Sequence, residues 1–315
     1  MSYPATVVFK RDGRTEYFVS SIYEPADYLL ESTEALRDTF AKSDRASRGL
    51  NSAYSDSGIL VDEDSRSLLY FGGEIEWEIG LRTVLRAFIS QEVKPGWTVR
   101  FCPKLLNDFA DHLSQVHPYD PSLDHGPYLN DLDYWIGGKS RCDQLADSEL
   151  VSLAVVKIKG CTAVHTVDSM YITDILDHGE DLLTCLAGPG VGPMTSGIDG
   201  DGAVSGFFAD ADERRLSYWY VNEDKPQSYY ERFWRGWALD DLRDDYRAFA
   251  RAAGGAVAFD EKIDRERSIR YLRSINKRED GTNAIPPDRF ENMLERFLSR
   301  NAGLMGSERG LAAEI

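Results

Sequence analysis

Cysteine is scarce. The four present, Cys102, Cys142, Cys161 and Cys185, are scattered and form no Cys-x-x-Cys pair. That argues against a disulfide-framed scaffold or a thiolate metal cluster and points to a reduced cytoplasmic protein with incidental thiols. Positive charge is also short: 36 Lys and Arg face 53 Asp and Glu, a net charge of −17. Such a balance excludes a generally basic nucleic-acid binder and steers basic partners toward the surface. Long apolar runs are missing, so no membrane span and no membrane partner are expected. Met1 to Lys10 has no basic stretch followed by an apolar one, so no secretory signal is expected either.

Catalytic and cofactor signatures are equally thin. No Gly-x-Ser-x-Gly elbow occurs. Gly188-Pro-Gly190-Val-Gly192-Pro is glycine-rich but lacks phosphate-cradle spacing and a Lys-Ser/Thr, and its prolines remove N–H donors. Asp199-Gly-Asp201-Gly202 hints at a calcium loop but lacks the longer ligand series and the terminal Glu. His112 and His117 lie five apart and make no helical ligand pair. His117, Asp120, Asp124 and His125 cluster in a solvated acidic stretch. No cofactor and no metal are expected.

What is present is a repeated phrase. Residues 58–71 and 206–219 share Gly58/Gly206, Asp62/Asp210, Asp64/Asp212, Arg66/Arg214, Leu68/Leu216 and Tyr70/Tyr218 at an offset of 148. The same offset places Val7 and Val8 on Val155 and Val156, and Val19, Ser21 and Tyr23 on Val167, Ser169 and Tyr171. Later an offset of 140 places Gly96-Trp97 on Gly236-Trp237. Order is preserved, as a tandem duplication requires.

A chain of 315 residues, 42% hydrophobic and 11% aromatic, has material for about two domains. The pattern predicts an α+β fold in which a unit of approximately ββα–ββα–βα occurs twice. Asp12-Gly13 marks a hairpin. Pro25 to Phe40 and residues 79–93 read as amphipathic helices, the latter through Leu81, Val84, Leu85, Phe88 and Ile89. The expected parts are a first unit over 1–116, a Pro/Gly/Asp-rich linker over 117–150, a second unit over 151–254 and a helical C-terminal extension over 255–315. In that extension Phe290, Met293, Leu294 and Phe297 line one face of a helix from Asp288 to Arg300. The Arg-rich segment 265–278 is read as pairing internally with the acidic body.

Two carboxylates and a guanidinium in each Asp-x-Asp-x-Arg turn could bind a cation or form a contact patch. The stronger expectation is structural, because Asp favours turns by bonding nearby backbone N–H groups. Trp97 and Trp237 are expected as core anchors. Tyr218, Tyr220 and Tyr229 lie in aromatic runs where strand alternation would bring some rings to the surface.

The hairpin pattern from Val61 to Tyr70, followed by Pro95-Gly96-Trp97, resembles acidic bacterial immunity-type proteins that accompany secreted toxins. The second unit departs from it at Arg235-Gly236-Trp237, and the C-terminal part lies outside it. The resemblance implies a binder that neutralises a toxin, and the acidity adds that the protein partner is basic. Candidate contacts are Asp62, Asp64, Asp199, Asp201, Asp210, Asp212, Tyr218, Tyr220 and Tyr229. The alternative is an enzyme, a hydrolase or transferase, whose carboxylates Asp199, Asp201, Asp210 and Asp212 line a site between the two repeat units.

Overall fold

The computed structural model describes residues 4–45, 50, 56–118, 151–167, 171–187, 190, 193–198, 202–278 and 281–304. In chain order it begins with β1 (Pro4–Arg11), β2 (Arg14–Ser21), α1 (Ala26–Leu29), α2 (Thr33–Phe40), β3 (Asp44–Arg45), β4 (Ser57–Asp62) and β5 (Ser67–Phe71). Next come α3 (Ile79–Phe88), prolonged by a π turn over Ile89–Val93, then β6 (Thr98–Phe101) and α4 (Leu106–Leu113). After these lie β7 (Val151–Ile158), β8 (Cys161–Val167), α5 (Ile172–Leu176), α6 (Asp181–Cys185), β9 (Met194–Gly197), β10 (Ala203–Asp210) and β11 (Arg215–Tyr220). Last among the described residues come α7 (Gln227–Tyr230), β12 (Ala238–Asp241), α8 (Tyr246–Ala252), β13 (Val257–Asp260), α9 (Arg265–Asn276) and α10 (Pro287–Arg300). The fold is mixed α and β, and the chain divides into two compact units. Unit 1 is Met1–Tyr119 with Lys262–Ile315, and unit 2 is Asp120–Glu261. The segment read as a C-terminal extension therefore splits. β13 belongs to unit 2, while α9 and α10 belong to unit 1. Most of the expected linker, Tyr119 to Leu150, lies outside the described residues.

Unit 1 is built on the sheet β3-β2-β1-β4-β5-β6, with β1 parallel to β4, β5 parallel to β6 and the other pairs antiparallel. β4 and β5 are buried along their whole length, which explains their unbroken apolar runs: both faces are covered. The α3 residues Leu81, Val84, Leu85 and Phe88 are all buried. Phe88 meets Phe290 and Phe297 of α10 with ring centroids 5.6 and 5.4 Å apart. Beside them Glu92, almost fully buried, accepts bonds from Arg296 at 2.7 Å and Arg300 at 2.8 Å. Arginines on and just beyond the Arg-rich helix α9 pair with acids of unit 1. Arg267 binds Glu78, Arg273 binds Glu291 at 2.8 Å, and Arg278, just beyond the helix, binds Glu31 at 2.6 Å.

Unit 2 is built on the sheet β12-β11-β10-β7-β8. Its order and strand directions match β6-β5-β4-β1-β2. One face carries the apolar cluster formed with α5, α6 and α7, including Phe207, Leu216, Tyr218, Tyr220 and Trp234. The other carries α8, whose Phe249 packs on Trp219. β9 and β13 pair in a separate parallel ribbon, two strands that sequence pattern did not reveal.

Several boundaries differ from expectation for local reasons. The helix expected from Pro25 to Phe40 is broken where Ser32 caps α2 by accepting the N–H of Ala35. Ile172 to Leu186 forms two short helices, α5 and α6, separated at Gly179, whose φ of +59° ends a helical run. Strand register also revises the repeat. Val8 pairs with Leu60 as Val155 pairs with Phe208, so β1 and β7 correspond at an offset of 147, one residue from the match of like residues.

The repeated glycine has a packing role. Gly58 faces Phe71 and Gly206 faces Trp219 across the antiparallel pairs. A Cβ on Gly206 would lie 2.7 Å from the Leu153 carbonyl oxygen and 2.8 Å from Trp219 Nε1. Gly206→Ala is therefore expected to destabilise unit 2 by about 1–3 kcal/mol, as overpacking does. Urea unfolding followed by tryptophan fluorescence measures this, and an unshifted midpoint would remove the requirement.

Candidate functional site

The two Asp-x-Asp-x-Arg turns are carboxylate staples. Asp62 is buried at the end of β4, and its Oδ1 accepts the N–H groups of Asp64 and Ser65 at 3.0 and 3.1 Å. Its Oδ2 receives Lys10 Nζ at 3.0 Å. Asp64 reaches to the neighbouring hairpin and accepts the N–H groups of Asp12 and Gly13 at 2.7 and 2.9 Å. Those donors are aimed by the tight turn, where Asp12 and Gly13 both have positive φ. Unit 2 repeats each bond. Asp210 takes Lys157 at 2.7 Å and the N–H groups of Asp212 and Glu213 at 3.0 and 3.1 Å. Asp212 accepts the N–H groups of Lys159 and Gly160, each at 2.7 Å.

The arginine of each turn makes no ion pair with these aspartates. Arg66 and Arg214 hold the left-handed position of the turn, with φ of +52°, and Arg214 turns to Glu180. Asp62 and Asp210 are buried rather than presented to a partner, whereas Asp64 and Asp212 are exposed but occupied by backbone donors. Burial would raise the Asp62 carboxyl, but the bonds from Lys10, the Ser65 N–H and His112 outweigh it and hold its pKa at about 2. Asp210 is lowered in the same way, with the Lys157 bond opposing its burial.

The two staples differ at one place. His112 Nε2, in the last turn of α4, lies 2.9 Å from Asp62 Oδ2, the oxygen that also takes Lys10. The helix of unit 2 is set in the same way. Cys102 N–H bonds Tyr70 O and Leu242 N–H bonds Tyr218 O, both at 2.9 Å. Phe109 packs on Phe71 as Phe249 packs on Trp219. Position 112 therefore corresponds to Ala252. Where the imidazole sits in unit 1, unit 2 has a cavity of about 550 Å³ over the Lys157–Asp210 pair, bounded by Thr162, Phe208, Ser217 and Ala252. Sequence reading missed Lys10, Lys157 and His112 as partners of the aspartates. The lysines become visible only when the first strands are aligned at 147 rather than 148.

The expected surface aromatics are interior. Tyr218 and Tyr220 are each 1% exposed and Tyr229 is 5% exposed. Alternation along β11 fails to expose either set because helices cover both faces. Two of the three hydroxyls are tied to acids: Tyr220 donates to Asp241 at 2.8 Å and Tyr229 to Asp177 at 2.7 Å, while the Tyr218 hydroxyl is buried without a hydrogen-bond partner among the described residues. Tyr230 and Thr173 both donate to Glu223, which burial raises to a pKa of about 7. Trp237 is buried against Trp234, with centroids 4.9 Å apart, whereas Trp97 is only half-buried. His117 bonds Asp111 at 2.6 Å. Asp199 and Asp201, and Asp120, Asp124 and His125 of the acidic stretch, lie outside the described residues. No helix among the described residues is long and apolar enough to cross a membrane.

Compared with protein-family models, curated proteins and solved structures, the chain matches none, so its site is read from its own geometry.

Two outcomes follow from this geometry. Asp212→Ala leaves the N–H groups of Lys159 and Gly160 to water and should lower Tm by about 3–6 °C, with Asp64→Ala acting likewise in unit 1; calorimetry with an unchanged Tm would refute the staple. Glu223 has a folded pKa above its unfolded value. Its contribution is therefore full below about pH 4 and lost as pH rises through about 7. Glu223→Gln should raise Tm relative to wild type more at pH 8 than at pH 5, by about 2–6 °C.

Proposed function

We propose that this chain is an acidic protein-binding protein whose partner is basic and meets unit 2, in the manner of an immunity protein that neutralises a toxin. One observation carries the reading: residues 120–261 hold 26 Asp and Glu against 12 Lys and Arg, so unit 2 has −14 of the chain's net −17. Unit 1 is near balance, and Arg267, Arg273 and Arg278 in it pair internally. Acidic charge concentrated in one stretch of the chain raises the rate and selectivity of encounter with a cationic surface. The immunity-type role rests on the hairpin and Pro95-Gly96-Trp97 resemblance, and a cytoplasmic location rests on the thiols and composition. The shared strand order and duplicated staples support descent by tandem duplication. An enzyme using Asp210 and Asp212 is less well supported, because both carboxylates are committed to backbone donors.

The contact surface is revised by the burial of Asp62, Asp210 and the tyrosines. The exposed carboxylates Asp181, Glu213 and Glu231 are the better candidates. Affinity capture with the full chain from producing cells should recover a basic protein. Recovery should fall about tenfold when these three are changed to Lys, and also as salt rises from about 50 to about 300 mM. Changing Asp38, Glu266 and Glu295 of unit 1 to Lys should leave it within about twofold. Equal recovery by all three baits would refute the assignment.

A further inference from the structure

The same strand-end frame is closed in unit 1 and open in unit 2. In unit 1 the Asp62 Oδ2 carries two donors, Lys10 from the sheet and His112 from the helix above it. In unit 2 the Asp210 Oδ2 carries Lys157, and the helix position above it is Ala252. The Asp210 side chain is correspondingly 7% exposed, against 1% for Asp62. We propose that the unit 2 cavity receives a planar cationic N–H donor, the imidazolium or guanidinium side chain of a basic protein partner, in the place that His112 fills in unit 1.

The surroundings favour such a group over an anion. The cavity lies against Ala252 to Ala256, where α8 ends and its last carbonyls present the negative end of the helix. His112 occupies the last turn of α4 in the same sense. Phe208 offers a ring to a flat cation, and Glu213 adds a carboxylate at the rim. The two cations of the lining are committed, Lys157 to Asp210 at 2.7 Å and Arg215 to Asp240 at 2.6 Å, which leaves neither as a ready anion site. About 550 Å³ exceeds what a single side chain needs, so the group can enter on a peptide segment.

This inference rests on unit 2 being the partner-binding unit, but its test needs no partner. The full-length ¹⁵N-labelled protein is titrated at about pH 6 with imidazole, then with ethylguanidinium, and with tetramethylammonium as a cation that has no N–H. The first two should give saturable shifts confined to the amides of residues 210–213 and 252–256, and tetramethylammonium should not. Ala252→His fills the cavity from within and should weaken imidazole binding at least about tenfold. His112→Ala opens the equivalent space and should create a second responsive site around Asp62 to Ser65. Equal imidazole affinity in Ala252→His and wild type, equal response to tetramethylammonium, or no saturable shift in the folded wild type each overturns the proposal. An intact imidazole response with no basic protein captured overturns the acidic-surface reading instead.

Discussion

Everything at the open end of each sheet depends on one buried aspartate that ends a parallel strand. A carboxylate removed from water is costly unless each oxygen is occupied. Asp62 and Asp210 meet that condition by binding the turn that follows them and the lysine of the strand beside them. The second aspartate of the motif then crosses to the adjacent hairpin and holds its two turn amides. The two aspartates and the lysine of each unit thereby fix the register of the parallel pair, which lacks a tight turn of its own to do so.

Much of this was legible in the chain. The offset of 148 located the two hairpins, and Asp12-Gly13 located a third turn whose counterpart is Lys159-Gly160. The amphipathic spacing of Leu81 to Phe88 and of Phe290 to Phe297 identified helix faces that the structure buries. The structural role expected of the aspartates holds, and the turn arginines occupy left-handed backbone positions.

What sequence did not give has physical causes. Identity at 148 favoured matching Val7 with Val155, because valines look alike whichever face they line; hydrogen-bond register places the correspondence one residue away. Tyr218 and Tyr220 seemed candidates for the surface because alternation implies one wet face, which fails when helices cover both sides of a strand. β9 and β13 are short and paired across distant segments, so no local pattern announces them. The difference between His112 and Ala252 is one residue in a helix whose other contacts are kept, and only the space above Asp210 makes it visible.

The pairing of α10 with α3 has a consequence for how the chain is made. Glu92 is neutralised by arginines 204 and 208 positions later, and Phe88 awaits rings from the same helix. Unit 2 lies in sequence between these halves, as an insertion within unit 1. On a ribosome the inserted body emerges whole while its host still exposes the seam for its final helix. The first part of the molecule to begin is thus the last to finish, and its unmatched apolar face must survive the synthesis of everything between.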